Sequence, residues 1–531
     1  MQNSCRYSHK NKQLFGGFKM KKAFLHLSLS FLTLFLCLAA SLSASAATLR
    51  ADSDGDGEIT VRDALCALTD ILSDAESKDS LRSVVCILQA VSAETPALGV
   101  YYENDFSDPS TLSDFTAFRG EWSIRDGKLW LDSVPGATGE SSAFLLYSDP
   151  SAVKLTNYRI DVDLYNIQTQ CGLLARCDYP FATGTVSDGF RGYYIFTGSA
   201  AKNGAIGYDK PENVWGGNLI VADGSFSAGA NLHLTAIVYG DRIYATYTDL
   251  DTDKVVLTLA ASNDTWDRGS FGLRMRNQYG TAVNLGNAAF DNLCVRVIDE
   301  SGLPAAENRI EHVDNGVADV LFIGNSYTYY NDLPTMVETI ATAAGVKVKA
   351  HSYTLGNYKL RLFYEDFLNG DAGFEKKAAL ADIVVFQDYA GAVETSANFT
   401  ELLMSFFDPD AVKFYFYPYK NPTAPSKIFD RFIDLGLDVT VVRTGDLFQS
   451  TLKKYSLDYL YNDGPLHPKP FLSHLFATQI AASLFDIDPA TVNHSAYLST
   501  LSSMSESQRT AYFNAVNAKI NALRAEALPH Q

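Results

Sequence analysis

Hydrophobic and polar positions follow three different patterns along this chain, and the last is the most informative. From about residue 319 onward, short apolar runs alternate with longer segments that carry apolar residues every three to four positions. The short runs are Asp319–Ser326, Val346–Tyr353, Asp382–Asp388, Lys413–Tyr419 and Asp438–Val442. Strands that alternate with amphipathic helices predict an α/β domain, in which helices cover both faces of a parallel sheet.

The composition of individual strands predicts their order in that sheet. The first and third runs are continuously apolar at their centres, as strands buried on both faces are. The second run alternates, with Val346, Val348 and Ala350 separated by Lys347 and Lys349. Because alternation is typical of an edge strand, we expect the strand order 2-1-3-4-5 of a three-layer, flavodoxin-like sheet.

The middle of the chain, from about Tyr101 to Asp299, has a pattern typical of β-structure. Short segments alternate apolar with polar residues, and Gly, Asp and Asn mark the turns between them. Examples are Glu121–Asp132, Tyr158–Tyr165, Phe190–Gly198, Leu232–Thr248 and Phe271–Met275. Regular short strands of this kind predict an all-β sandwich or jelly roll.

The N-terminal segment has the organisation of an export signal. A basic patch opens at Met20, an apolar run follows from Ala23 to Ala40, and small residues extend from Ser43 to Ala47. This order predicts a secretory signal peptide over residues 1–47, with a membrane anchor as the alternative. No later segment is apolar enough to span a bilayer, so we expect a secreted protein without a membrane span after cleavage. The net charge of −18 argues against nucleic-acid binding.

Acidic residues after the signal are spaced as in an EF-hand calcium loop. A loop that begins at residue 52 has glycine at its sixth position, where the chain turns sharply, and isoleucine at its eighth. The expected ligands are Asp52, Asp54, Asp56, Glu58 and Asp63. The spacing predicts one structural Ca²⁺ ion, with an acidic solvated turn as the alternative.

Residues 48–98 resemble the dockerin family, in which such a loop and its helix occur twice in tandem. A second copy is degenerate, because the stretch from Asp74 to Lys78 has lost the calcium pattern. The resemblance therefore implies a small helical, EF-hand-like module with one calcium ion. It also implies a cohesin partner that contacts Thr60, Val61 and Arg62, and an intramolecular or scaffolding role is the alternative.

Residues 99–300 resemble concanavalin A-like lectin and glucanase sandwiches. The motifs that carry the resemblance are Asn104-Asp105-Phe106, Gly120-Glu121-Trp122, Gly127-Lys128-Leu129 and Phe290-Asp291-Asn292-Leu293. The family implies carbohydrate binding on a concave sheet. Candidate aromatic residues are Tyr193, Tyr194, Tyr208 and Trp215, although aromatic residues on strands often belong to the core. We identify no closely spaced acidic pair on one strand of the kind that the glucanase relatives use, so glycosidase activity is not expected.

The first strand of the α/β region ends in a candidate nucleophile. The apolar run from Val320 to Ile323 is followed by Gly324, Asn325 and Ser326, and then by a helical pattern. A serine on such a strand-to-helix turn presents its hydroxyl at the carboxyl edge of a parallel sheet, where open α/β folds bind ligands. Backbone N–H groups beside it can receive an oxyanion.

The C-terminal domain, residues 310–531, resembles the SGNH (GDSL-type) hydrolase family from about Asp319 to Leu523. Gly324-Asn325-Ser326 matches its first block, and the resemblance implies that Ser326 is the nucleophile. It also implies His467 as the general base and an oxyanion hole made by the N–H groups of Ser326 and Gly356. Where the family carries an Asn donor this chain has Gln387, with Asn357 in reserve.

The carboxylate that orients the histidine is less clearly placed. The family has an aspartate three residues before its histidine, a position that is Gly464 here, whereas Asp463 lies four residues before. We assign the orienting role to Asp463, and a backbone carbonyl or Asp458 remains the alternative. A serine needs such a base to remove its proton, and the base needs an orienting partner.

Together these features predict a secreted serine esterase that removes acyl groups, most of all O-acetyl, from polysaccharides or other acylated carbohydrates. The polysaccharide assignment rests on the domains that accompany the hydrolase domain. The alternatives are a lipase or arylesterase of the same fold, or a non-catalytic carbohydrate-binding or scaffold protein whose hydrolase domain has decayed.

Overall fold

The computed structural model describes the greater part of the chain from residue 59 onward. The described residues are 59–73, 81–134, 141–168, 170–177, 192–198, 203–210, 214–277, 288–304, 309–388, 393–419, 424–453, 460–462, 467–495, 497 and 504–526. They form two helices, a β-sandwich and an α/β domain, in that order.

The two N-terminal helices are α1 (Val61–Ser73) and α2 (Leu81–Ser92). Small and apolar residues such as Ala67 and Ile87 pack between them, and this small core also includes Val153 of the sandwich. The Lys154 ammonium donates to the Ala93 carbonyl at 2.7 Å, so the helical pair rests on the sandwich. Within the described residues, no helix is both long and apolar enough to cross a bilayer.

Fifteen strands make up the described part of the sandwich. In chain order they are β1 (Gly99–Asn104), β2 (Phe115–Arg119), β3 (Glu121–Arg125), β4 (Lys128–Ser133), β5 (Ser141–Tyr147), β6 (Tyr158–Ile167), β7 (Gln170–Cys177), β8 (Gly192–Thr197), β9 (Asn203–Lys210), β10 (Val214–Asp223), β11 (Ala230–Tyr239), β12 (Arg242–Asp249), β13 (Lys254–Ser262), β14 (Ser270–Asn277) and β15 (Ala289–Val297). One sheet has the order β13-β12-β11-β6-β15-β4-β3 with β1 paired to β15, and the other β10-β9-β8-β7-β14-β5-β2. These antiparallel sheets confirm the predicted β-sandwich.

Strand β6 illustrates how the alternating pattern builds the sandwich. Ile160, Val162 and Leu164 belong to the core between the two sheets. Asp161 and Asp163 point to the opposite face, because successive strand residues alternate between faces. Strand β6 therefore carries two acidic residues on one face.

The acidic pair on β6 is held by ionic and hydrogen-bonding partners. Asp161 accepts two bonds from the Arg159 guanidinium, both at 2.7 Å, and one from Thr235. His233 lies between the carboxylates, 2.7 Å from Asp163 and 3.3 Å from Asp161. Burial opposes ionisation, but the bonds from His233 and Arg159 outweigh it and lower the pKa of Asp161 well below its ordinary value. Among the described residues no cluster of His, Cys, Asp and Glu is arranged to hold a metal ion.

The α/β domain alternates strands and helices as predicted. Its elements are β16 (Ala318–Gly324), α3 (Ser326–Tyr329), α4 (Leu333–Ala343), β17 (Val348–Thr354), α5 (Leu360–Leu368), α6 (Ala372–Ala378), β18 (Ile383–Phe386), α7 (Val393–Met404), β19 (Val412–Phe416), α8 (Ala424–Asp434), β20 (Thr440–Val442), α9 (Thr444–Leu447), α10 (Pro470–Phe485) and α11 (Glu506–Glu526). The sheet is parallel and has the order β17-β16-β18-β19-β20, which confirms the predicted order 2-1-3-4-5.

Central strand β16 is buried on both faces. Val320 and Phe322 pack into the layer that contains α4, α10 and α11, whereas Leu321 and Ile323 pack into the layer of α5, α7 and α8. A continuous apolar run is the pattern that such a position demands. At its carboxyl end, β16 continues into the turn that carries Ser326.

The sandwich packs against the α/β domain through β12 and β13. Glu365 of α5 accepts the backbone N–H of Thr258 at 2.6 Å. Glu401 of α7 pairs with Arg242 at 2.8 Å and accepts the hydroxyl of Tyr244. Burial raises the pKa of both glutamates above its ordinary value, since their partners compensate only part of the lost hydration.

Candidate active site

The turn after β16 presents Ser326 at the carboxyl edge of the sheet. Asn325 caps α3, because its side-chain oxygen accepts the N–H of Tyr327 at 3.2 Å and its carbonyl accepts that of Thr328 at 2.9 Å. Ser326 is the first residue of the helix and is half-buried. This is the position that the sequence pattern predicted, and open α/β sheets bind their ligands there.

Gly324 allows the turn to close. A Cβ atom at this position would lie 2.5 Å from the Thr328 hydroxyl oxygen and 2.7 Å from the side-chain oxygen of Gln387. Both approaches are shorter than non-bonded atoms tolerate, so the tight passage from β16 to α3 requires glycine.

Gln387, immediately after β18, supports this turn with two hydrogen bonds. Its side-chain oxygen accepts the N–H of Asn325 and the hydroxyl of Thr328, both at 2.9 Å. Its amide nitrogen donates to the Asp388 carbonyl and to the Tyr419 hydroxyl. Because the Asn325 N–H can only donate, the amide oxygen must face it. For Gln387 to donate to an oxyanion, its amide nitrogen would have to give up its hydrogen bond to the Asp388 carbonyl or the one to the Tyr419 hydroxyl.

Gly356 lies in the loop after β17, next to the serine turn. Leu355 donates its N–H to the Gly324 carbonyl at 3.2 Å, and the Asn325 side chain donates to the Tyr358 carbonyl at 3.1 Å. These two bonds tie both sides of Gly356 to the segment that carries Ser326. Its neighbour Asn357 is exposed and has a left-handed backbone with φ of 63°. The structure thus places the loop that contains Gly356 next to the turn that carries Ser326.

His467 reaches the same edge from the C-terminal part of the chain. Its ring stacks on Tyr330, with centroids 4.4 Å apart and planes 8° from parallel, and lies 6.5 Å from the ring of Tyr327. Tyr330 donates its N–H to the Ser326 carbonyl, which closes one helical turn. Because Tyr330 directly follows the last residue of α3, His467 lies beside the short helix that begins at Ser326.

Several predicted site residues lie outside the described residues. They are Asp463, its alternative Asp458, and the calcium ligands Asp52, Asp54, Asp56 and Glu58. The fifth predicted ligand, Asp63, is fully buried and accepts the N–H of Thr60 at 2.6 Å, as a capping box would. The calcium site and the orienting carboxylate stay predictions.

Aromatic residues that the sequence pattern did not single out line the site. The rings of Tyr327 and Tyr419 are 4.6 Å apart at 63°, and Tyr419 donates to the Asp388 carbonyl at 3.0 Å. Burial raises the pKa of Tyr419 far above its ordinary value, so its hydroxyl remains a donor. A signal was present in the sequence, since tyrosines occupy the first, third and fourth positions after Ser326.

Two other histidines in the domain have structural surroundings. His474 of α10 bonds to His494 at 3.0 Å and stacks on Tyr497, and burial lowers its pKa to about 4. It is therefore neutral at physiological pH, as expected for a core residue. His351, an alternative base, pairs with Asp319 within the sheet and not at its carboxyl edge.

Most of the aromatic candidates on the sandwich are not available to a ligand. Tyr193 and Tyr194 are both fully buried, which overturns their selection as exposed stacking residues. Tyr208 packs against the core between the sheets. Trp215 on edge strand β10 is 43% exposed and lies over Gly207, whose ideal Cβ would be 2.4 Å from the indole ring.

The arrangement can support nucleophilic chemistry. A serine hydroxyl, an imidazole that stacks on the residue after α3, and the loop around Gly356 lie near one edge of the sheet. These are the group types that acyl transfer to serine uses, namely a nucleophile, a base and oxyanion donors.

Comparisons with known proteins give distant structural neighbours. No family model and no curated protein matches the chain. Solved structures with partial likeness include a carbohydrate-binding module, CBM66, from Bacillus subtilis (15% identity, TM-score 0.24, 34% of this chain and 95% of that one). A putative SGNH hydrolase from Slackia heliotrinireducens has 20% identity and a TM-score of 0.25, over 31% of this chain and 97% of that one. Lectin II from Ulex europaeus has 11% identity and a TM-score of 0.28, over 37% and 97%. At these scores the likenesses carry no argument about activity.

Proposed function

We propose that this chain is an exported serine esterase that removes acyl groups, most of all O-acetyl groups, from polysaccharides. The observation that supports it best is the placement of His467 against Tyr330, one helical turn from Ser326 at the carboxyl edge of β16. A base beside a serine at this edge of an α/β sheet is the arrangement from which acyl-transfer catalysis follows.

The proposed reaction proceeds in two steps. The Ser326 hydroxyl attacks the ester carbonyl carbon while His467 accepts its proton, and the N–H groups of Ser326 and Gly356 donate to the oxyanion. Collapse breaks the bond between the acyl carbon and the sugar oxygen, which receives the proton from His467. Water then attacks the acyl-enzyme with His467 again as base, and releases the carboxylic acid and free Ser326. Asp463 is assigned to orient His467, and Asn357 and Gln387 are additional candidate donors.

Hydrolysis of 4-nitrophenyl acetate by purified protein tests the catalytic assignment. We expect Ser326→Ala to lower kcat/KM at least about a thousandfold, since the nucleophile is lost. The exposed Ser450→Ala, in the same domain, is the matched control and should retain wild-type rates. A fluorophosphonate probe should label the wild type and the control but not Ser326→Ala. Equal rates for Ser326→Ala and wild type would refute the assignment.

The carbohydrate part of the proposal is supported by Trp215. An indole that lies over a glycine and is 43% exposed offers an apolar surface on which a sugar ring can stack. Affinity electrophoresis in gels that contain acetylated xylan, mannan or pectin measures this contribution. We expect Trp215→Ala to lose retardation, whereas Trp130→Ala on the other sheet should not. Equal retardation of the two variants would contradict a role of Trp215.

The alternatives give different results in the same assays. A decayed hydrolase domain on a carbohydrate-binding or scaffold protein would bind polysaccharide but leave the probe unreacted. A lipase or arylesterase would hydrolyse lipid or aryl esters while releasing no acetate from acetylated polysaccharides. The proposed calcium ion and cohesin partner concern the N-terminal module, and the esterase assignment does not depend on either of them.

A further inference from the structure

The two residues after α3 connect the nucleophile to the segment that carries the histidine. Tyr330 closes the turn that begins at Ser326, and Asn331 follows in a left-handed conformation, with φ of 58° and ψ of 18°. Asp332 is also left-handed, with φ of 56°. Asparagine tolerates this conformation better than most residues, so Asn331 can occupy it with little strain.

Tyr330 fixes the plane of the imidazole. The two rings are 8° from parallel at a centroid distance of 4.4 Å, and both residues are half-buried. Rotation of the His467 ring about its bond to Cβ would move it off the tyrosine face. Stacking therefore limits the directions in which the ring nitrogens can point.

Asn331 fixes the backbone beside the imidazole. Its amide donates to the Pro468 carbonyl at 2.8 Å and to the Ser473 hydroxyl at 2.9 Å. Pro468 directly follows His467, and Ser473 lies in the first turn of α10. The Asn331 side chain thus joins the end of the turn that carries Ser326 to both ends of the segment from residue 468 to residue 473.

The histidine segment is also closed by its own backbone. Asn462 donates its N–H to the His467 carbonyl at 2.9 Å, and Lys469 donates to the Leu460 carbonyl at 2.8 Å. Tyr461 and Pro468 pair in an isolated antiparallel bridge between these bonds. With the chain fixed here, the freedom left to His467 is mainly that of its side chain, which Tyr330 restricts.

We propose that Tyr330 and Asn331 are positioning residues that aim His467 at Ser326, and that they do part of the work of an orienting carboxylate. This inference rests on the esterase function proposed above. Neither residue exchanges a proton with the substrate: Tyr330 restricts the ring and Asn331 the backbone that carries it. Misplacement of a catalytic group by about 1 Å can cost a hundredfold in rate.

Steady-state kinetics with matched variants test the role of Tyr330. We expect Tyr330→Leu to lower kcat by about 10- to 100-fold while KM changes less than about threefold, because substrate contacts remain and the base is misaligned. Tyr330→Phe keeps the stacked face and should restore kcat to within about threefold of wild type. Wild-type kcat in Tyr330→Leu, or a loss in Tyr330→Phe as large as in Tyr330→Leu, would overturn the proposal.

A second pair of variants isolates the amide of Asn331. Asn331→Gly accepts the left-handed backbone and removes the two hydrogen bonds, so its kcat should fall, and its melting temperature should fall by only a few degrees because the backbone conformation is kept. Ser473→Ala keeps the Pro468 bond and should have the smaller effect. Unchanged kcat in Asn331→Gly would overturn the role of Asn331. A wild-type protein that hydrolyses no ester would overturn both the esterase function and this inference, whereas an active wild type with indifferent variants would overturn the inference alone.

Discussion

Replacement of Gln387 by methionine distinguishes a residue that supports the serine turn from one that contacts the substrate. Gln387 is 1% exposed, and its oxygen accepts the Asn325 N–H and the Thr328 hydroxyl. Methionine preserves most of the volume and flexibility of the side chain but offers no comparable acceptor. The Asp388 carbonyl loses the hydrogen bond from Gln387 in this variant but keeps the one from the Tyr419 hydroxyl.

The cost can be worked out bond by bond. A buried N–H left without an acceptor costs about 1–3 kcal/mol, and loss of the bond to Thr328, whose hydroxyl can rotate, adds about 1 kcal/mol. The expected destabilisation of Gln387→Met is therefore about 2–4 kcal/mol. At about 2–4 °C per kcal/mol for a domain of this size, its melting temperature should fall by about 5–15 °C.

Gln479 offers a matched control for this experiment. It is 2% exposed on α10, and its side-chain oxygen accepts no hydrogen bond within the described residues. Because little is lost there, Gln479→Met should shift the melting temperature much less than Gln387→Met. Differential scanning fluorimetry and 4-nitrophenyl acetate hydrolysis would be measured for both variants. A Gln387→Met protein with wild-type melting and a hundredfold lower kcat would refute the bracing role and favour an oxyanion donor.

Three further predictions concern other parts of the molecule. Gly324→Ala would place a carbon 2.5 Å from the Thr328 hydroxyl oxygen, so we expect a lower melting temperature and loss of esterase activity; a stable, active variant would contradict the tight turn. Hydrogen bonds to Asp161 and Asp163 raise the pKa of His233 from 6.5 to about 9. The stability that protonated His233 contributes is complete below pH 6.5 and is lost as the pH rises through 9. The melting temperature should therefore fall less steeply over this pH range in His233→Gln than in wild type. Equal slopes would refute the contribution of His233. Calorimetric titration of the mature chain with calcium chloride should give one binding event that Asp54→Asn weakens at least about tenfold, whereas absence of calcium-dependent heat would exclude the loop.

The strand order could be predicted because burial leaves a direct trace in the sequence. A strand with helices on both sides needs apolar residues at consecutive positions, and Val320 through Ile323 provide them. Edge strand β17 is less deeply buried than β16, and its sequence alternates. The position of Ser326 followed from the same reasoning, since the turn begins where the apolar run ends.

Side-chain partners were less predictable, because they depend on segments that are distant in sequence. Nothing local to Gln387 indicates that its oxygen faces the Asn325 N–H. Tyr193 and Tyr194 were both candidates for stacking on a ligand, whereas both faces of β8 are covered. The aspartates of β6 were overlooked although they stand two residues apart, which is the spacing of one strand face.

The contact between β12, β13 and the helices of the α/β domain has a practical consequence for dissecting the protein. A fragment that starts at residue 310 follows the domain boundary suggested by the sequence. In such a fragment Glu365 would lose its partner Thr258, and Glu401 would lose its partner Arg242. The apolar side chains that pack with Ile237 would also become exposed to solvent. Such a fragment should be less soluble than the chain that keeps the sandwich. Expression of the two domains together is therefore the better starting point for enzymology and crystallisation.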